Sequence, residues 1–187
     1  MGYLPRGQNL TSSITFILLI ANVAVFMVTL VGGEDAVLLL AQTGELFFAG
    51  FLWQPFTAMF VHFDILHILF NMFALVYFGT VVEGSYTRSQ YLTIYFGAGL
   101  LGNLASLFLI PLNDPTGGAS GAIFGLVGAY VAMERKGPGL VVAALYAVLI
   151  FIDSAGPGVN IFAHLFGALA GFGLGMIFLA RRRASEL

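Results

Sequence analysis

Ile14–Val31 reads ITFILLIANVAVFMVTLV and contains no Asp, Glu, Lys or Arg. A helix needs about 20 predominantly apolar residues to cross a hydrocarbon core about 30 Å thick, so this stretch reads as a transmembrane helix. Five further apolar segments follow, near Phe60–Val82, Tyr91–Ile110, Ala119–Met133, Leu140–Ile152 and Val159–Ala180. The chain of 187 residues is 59% hydrophobic and 9% charged, whereas a typical soluble domain is about 25% charged. That charge content cannot cover a soluble globule, the apolar content excludes disorder, and no Gly-X-Y period suggests collagen. The expected fold is all-α: a polytopic membrane protein of six transmembrane helices forming one domain over residues 1–187. The fourth and fifth segments are short, and a short span is tolerated where its upstream loop is buried in protein or lines a watery cavity. With no Cys in the chain, thiol chemistry, disulfides and cysteinyl metal sites are excluded.

The charges orient the bundle. Arg6 precedes the first span, Arg88 lies between spans two and three, and Arg135 and Lys136 lie between four and five. Arg181, Arg182 and Arg183 follow the sixth. With the N-terminus inside, all 7 basic residues fall on the cytoplasmic side, as the positive-inside rule requires. Glu34, Asp35, Glu45, Asp114 and Asp153 fall outside. Both termini are therefore expected to be cytoplasmic. The first span is longer than the roughly 7–15 residues of a signal-peptide core and no A-x-A site follows it, so it reads as a retained span. The first outer loop, about Gly32 to Met59, carries Phe47, Phe48, Phe51, Trp53 and Phe56. It is expected to lie partly in the outer leaflet, with Trp53 as an interfacial anchor.

Polar groups inside spans are costly and mark function when ionisable. His67 and Asn71 in span two share one helix face, being four residues apart. Ser120 opens span four and His164 lies near the start of span six. By the orientation above, all four belong to one layer in the outer leaflet. A serine hydroxyl becomes a nucleophile when a neighbouring neutral histidine takes its proton. A tetrahedral oxyanion then needs preorganised donors, which an Asn amide, a His N–H and the Ser120 backbone N–H supply. The set reads as acyl transfer to water by a Ser–His pair, without a carboxylate at that level. Taken singly, each residue also has a structural reading: Ser and Asn as helix-packing or interhelical hydrogen-bonding groups. A metal site built from His62, His67, His164 and Asp64 is a further alternative. The five-residue spacing of His62 and His67 is poor for joint ligation on a helix.

Glycine brings the proposed partners together. Gly121 and Gly125 form one G-x-x-x-G step, and Gly167, Gly171 and Gly175 form a doubled one. Such stripes let two helix backbones approach closely. One lies beside Ser120 and the other beside His164.

In this order the residues resemble the rhomboid intramembrane serine proteases. The resemblance runs through the Trp53 region, His62-Phe63-Asp64-Ile65-Leu66-His67-Ile68-Leu69-Phe70-Asn71-Met72, Glu83, Gly118-Ala119-Ser120-Gly121, and Ala163-His164 with Gly167 and Gly171. It implies that Ser120 is the nucleophile and His164 its general base. It implies that His67, Asn71 and the Ser120 N–H form the oxyanion hole. Phe124 is implied to pack against the dyad histidine, and Gly118 and Gly121 to let the loop and helix start approach the scissile peptide. The family admits transmembrane substrates laterally and cuts them near the outer face, beneath a loop corresponding here to Ser154–Gly158. One departure is visible: the family commonly has Trp-Arg where this chain has Trp53-Gln54, which is expected to affect loop stability rather than chemistry. The resemblance is to the minimal six-helix form.

The expected partners are transmembrane protein substrates and membrane lipid, with no nucleic acid, cofactor or metal. The expected location is a prokaryotic plasma membrane. A catalytically inactive rhomboid-like binding protein is the alternative reading, and a small transporter or channel a more distant one.

Overall fold

The structure, a computed structural model, describes residues 13–134, 137–153 and 160–185. Eight α-helices lie within them: α1 (Ile14–Leu40), α2 (Gly44–Phe48), α3 (Gln54–Thr57), α4 (Ile65–Ser85), α5 (Arg88–Ser106), α6 (Ser120–Met133), α7 (Pro138–Asp153) and α8 (Ile161–Ser185). A 3-10 turn at Ala58–Phe60 follows α3. A β-bridge joins Gln42 to Thr116. By length and composition, α1, α4 and α8 are apolar enough to cross a membrane, while α6 and the Pro138–Val148 part of α7 are shorter apolar segments.

Several boundaries differ from the sequence expectation, each for a local reason. Helix α1 does not stop at Val31: it continues to Leu40 through a kink at Gly33, whose φ of 61° and ψ of −151° redirect the chain. Only glycine adopts that conformation readily. Span two is helical only from Ile65, because Asp64 caps it there by accepting the His67 N–H at 2.8 Å. Helix α5 starts on a Thr87–Gln90 capping box and ends at Ser106, short of the expected Ile110.

Two polar devices hold α1 in place. At its start, the Glu83 carboxylate of α4 accepts from the Ser13 hydroxyl (2.8 Å), the Ile14 N–H (2.7 Å), the Thr15 N–H (3.0 Å) and the Thr15 hydroxyl (2.7 Å). These donors belong to the N-terminal turn, which has no intrahelical partners and favours negative charge. At the other end, the carbonyls of Leu38, Leu39 and Leu40 accept from the Gln54 amide (2.9 Å), the Trp53 indole (2.9 Å) and the Thr57 hydroxyl (2.7 Å). The aromatic loop thus supplies a C-terminal cap for α1, with the Trp53 indole as one of its three donors. Gln54, fully buried, also accepts the Thr43 N–H at 3.2 Å. An arginine could donate to Leu38 but has no acceptor for Thr43. The neutral side chain thus fills both halves of its site.

The core is organised around α6. Every residue from Ser120 to Tyr130 is buried, and α6 packs most extensively on α8, then on α5 and α4. Protein therefore surrounds this stretch of α6 on all sides. The α6–α8 contact is a backbone contact: a Cβ at Gly167 would collide with the Gly121 carbonyl oxygen, and one at Gly171 with that of Gly125. Gly173, by contrast, has open space. Gly171→Val is expected to lower stability by about 1–3 kcal/mol through overpacking against a carbonyl that cannot yield. Gly173→Ala should leave stability unchanged or raise it slightly. Thermal unfolding of the two variants in the same detergent checks the contrast.

Candidate active site

The segment before Ser120 is held from below by two others. Thr116 exchanges backbone hydrogen bonds with Gln42 at 2.9 and 2.8 Å, and the Gly118 N–H donates to the Ala58 carbonyl at 2.9 Å. Gly118 has a φ of 128°, and a Cβ there would lie 2.9 Å from His67 Nε2 and 3.3 Å from Ser120 Oγ. Conformation and space both demand glycine at this position. The chain then turns into α6 with Ala119 as N-cap, and Ser120 occupies the first helical position. Its backbone N–H lies among those at a helix start that lack intrahelical acceptors.

His164 approaches from α8. Asn160 accepts the Ala163 N–H through Oδ1 at 3.1 Å and the His164 N–H through its carbonyl at 3.2 Å. This fixes the first turn and the direction of the His164 side chain. His164 Nε2 lies 2.7 Å from Ser120 Oγ, with both residues buried. Phe124, one turn beyond Ser120, stacks on the imidazole with ring centroids 4.8 Å apart and planes at 21°. It also meets Tyr146 of α7 at 5.5 Å, so the histidine face is covered by an aromatic layer.

His67 stands across Gly118 from Ser120. Its ring packs edge-on against His62 at 5.0 Å and stacks with Phe63 at 6.2 Å. Asn71, one turn further along α4, donates from its amide to the His67 carbonyl at 2.9 Å, while its buried Oδ1 has no protein partner. One of its two amide N–H groups is thus engaged within its own helix. Gly121 faces α8, where a Cβ would find ordinary contact 3.5 Å from the Ala163 carbonyl. This places Gly121 at the α6–α8 seam. The expected cap loop Ser154–Gly158 lies outside the described residues.

Ser120, His164, Phe124, Gly118 and His67 are therefore brought together, with Asn71 one turn below. His67, Ser120 and His164 all sit in the first turns of their helices. Three positive dipole ends thus converge where negative charge would develop. Among the described residues, no three His, Asp or Glu side chains group as a metal site. Sequence reasoning missed the bond between His62 and the Ala119 N–H. It also missed Asn160, although an Asn just ahead of an apolar run is a helix-start signal. A groove of about 920 Å³ between α1 and the start of α4 reaches His62 and Pro115 but is not lined by Ser120 or His164. It is distinct from the Ser–His pair.

A family model described as the Rhomboid domain matches residues 49–181. A putative rhomboid protease of Bacillus subtilis, YdcA, is 32% identical over 140 residues, covering 70% of this chain and 69% of the relative. The rhomboid protease GluP of the same organism is 32% identical over 177 residues, 88% of this chain but 34% of its own length. The chain thus spans about a third of that relative. Rhomboid-like protease 2 of Toxoplasma gondii is 25% identical over 193 residues, 93% of this chain and 68% of its own.

A hydroxyl 2.7 Å from an imidazole nitrogen is arranged for proton removal. A fluorophosphonate probe is expected to label the wild type on Ser120, to leave Ser120→Ala unlabelled, and to react with His164→Ala at least about 100-fold more slowly. Intact-mass spectrometry of the labelled proteins reads all three.

Proposed function

The chain belongs to the rhomboid family, and from that premise we propose that it is an active intramembrane serine protease that cuts transmembrane protein substrates near the outer membrane face. The protein is an integral membrane protein whose named relatives are proteases. The observation that carries the finer reading is the 2.7 Å approach of His164 Nε2 to Ser120 Oγ. In the proposed reaction Ser120 Oγ attacks the scissile carbonyl carbon while His164 takes the hydroxyl proton. The oxyanion is stabilised by the Ser120 N–H, His67 and the second amide N–H of Asn71. Collapse breaks the C–N bond, and the proton on His164 passes to the leaving amine. Water then attacks the acyl-enzyme with His164 again as base, releasing the carboxylate and restoring Ser120.

The same reading takes six spans with both termini cytoplasmic, supported by six helices of 14 to 27 residues. The segregation of all Lys and Arg to one side supports it as well. It forms one domain in contact with lipid and substrate, without nucleic acid or cofactor. A prokaryotic plasma membrane is the proposed location. The competing reading, an inactive relative acting by binding alone, is disfavoured because Ser120 and His164 are both present and in contact.

The test is incubation of the purified protein, in lipid, with a panel of transmembrane substrates. The wild type is expected to cut at least one that Ser120→Ala and His164→Ala leave intact. Asn71→Ala should retain activity lowered by about tenfold, less than loss of a fully committed oxyanion donor. Equal cleavage by wild type and Ser120→Ala, or none by either, overturns the protease reading.

A further inference from the structure

His62 has no part in the proton transfers above, yet it is buried to 2% exposure, against the residue that precedes Ser120. It lies in the short non-helical link between the 3-10 turn Ala58–Phe60 and α4. Both ring nitrogens have partners: Nδ1 lies 3.2 Å from the Phe60 carbonyl, and Nε2 lies 3.5 Å from the Ala119 backbone nitrogen. The partners decide the tautomer. A carbonyl only accepts, so Nδ1 carries the hydrogen; a backbone N–H only donates, so Nε2 presents its lone pair. One neutral tautomer satisfies both bonds.

Ala119 is the residue on which the orientation of the Ser120 N–H turns. The Ala119 carbonyl accepts the Ile123 N–H at 2.9 Å inside α6. In a trans peptide the Ser120 N–H points the opposite way, out of the helix start. The preceding peptide units are tied to residues 58–62: Gly118 N–H to the Ala58 carbonyl, Ala119 N–H to His62. Gly117 is pressed against the same strip, a Cβ there lying 3.0 Å from the Val61 carbonyl. His62 supplies the side-chain member of this clamp. Its ring also lies edge-on to His67 at 5.0 Å, bracing the other side of the same site.

We propose that His62 is a positioning residue: through the Ala119 N–H and the His67 ring it aims the Ser120 backbone N–H and His67 at the oxyanion. The proposal rests on the protease reading, and it goes beyond it by giving the third histidine a role that requires neither metal nor substrate contact. Oxyanion donors act only when held in place in advance, so loosening the clamp slows the chemical step and leaves substrate binding intact.

The experiment compares His62→Phe, which keeps a ring but no acceptor, with His62→Gln, whose amide oxygen offers one to Ala119. Each is assayed for kcat and KM on a cleaved transmembrane substrate, and for hydrogen exchange at the Ala119 amide. His62→Phe is expected to lose about tenfold or more in kcat with KM within about twofold, and to lose protection at Ala119. His62→Gln should recover most of both. Wild-type kcat in His62→Phe, or equal losses in the two variants, overturns the proposal while leaving the protease reading standing. If wild type cuts no substrate, the protease reading falls, and the positioning role in catalysis falls with it. The exchange experiment still reads the hydrogen bond: protection lost in Phe and restored in Gln upholds the clamp, and equal exchange in all three removes it. Should His62→Phe fail to fold, fast exchange at Ala119 in the wild type alone is sufficient to overturn the bond.

Discussion

Everything at the site depends on how closely the backbones of α6 and α8 approach each other. Ser120 immediately precedes Gly121, and His164 lies three residues before Gly167; the carbonyl of the first glycine fills the space where the second would carry a side chain. The same contact repeats one turn later at Gly125 and Gly171. Each glycine within a helix costs roughly 1 kcal/mol against alanine in water, and here three of them stand in the 14 residues of α6. That cost is offset by dispersion contacts between the two helices over their shared length. A spacer of one methyl group at this seam would pull the serine and imidazole apart, and a proton transfer is sensitive to far smaller displacements.

The second requirement is that the turn before Ser120 keeps its shape while a substrate is handled. Here the protein uses backbone pairing instead of bulk: Gln42 with Thr116, Ala58 with Gly118. The Gln42 side chain extends the same support to α5, donating to the Asn103 carbonyl at 3.0 Å. Asn103 in turn donates to the Pro55 carbonyl at 2.8 Å. The aromatic loop, the α5 terminus and the approach to the serine are thus one hydrogen-bonded body. In the absence of competing water, such bonds are expensive to break.

Much of this was legible in the sequence. The apolar segments, the glycine stripes and the four polar residues are local signals with a direct physical meaning, and they led to Ser120, His164 and His67. What the sequence did not disclose are the long-range polar pairings. Glu83 was visible only as part of a resemblance, because nothing local says that a carboxylate at the end of α4 caps the start of α1. His62 looked like a spare metal ligand, since its real partner is a backbone N–H 57 residues away. The far end of α1 is a partial case of the same kind: the span read to Val31 continues through the Gly33 kink to Leu40, where three carbonyls find donors on Trp53, Gln54 and Thr57. Gln54 looked like a loss of charge. In its place it is a donor and an acceptor at once, a distinction that composition does not carry.

The burial of α6 along its reactive length has a consequence for how the surrounding bilayer acts on the protein. From Ser120 to Tyr130 the helix is buried in protein, whereas its neighbours carry exposed Leu69 and Phe73 on α4, Leu101 and Leu104 on α5, and Leu165 and Leu169 on α8. The apolar surface nearest the nucleophile is thus carried by its neighbours and not by the helix that bears it. Because His164 stands on the neighbour whose backbone is locked against α6 at Gly121–Gly167 and Gly125–Gly171, the same seam that brings base and nucleophile together is what lies between that pair and the lipid-facing surface of α8.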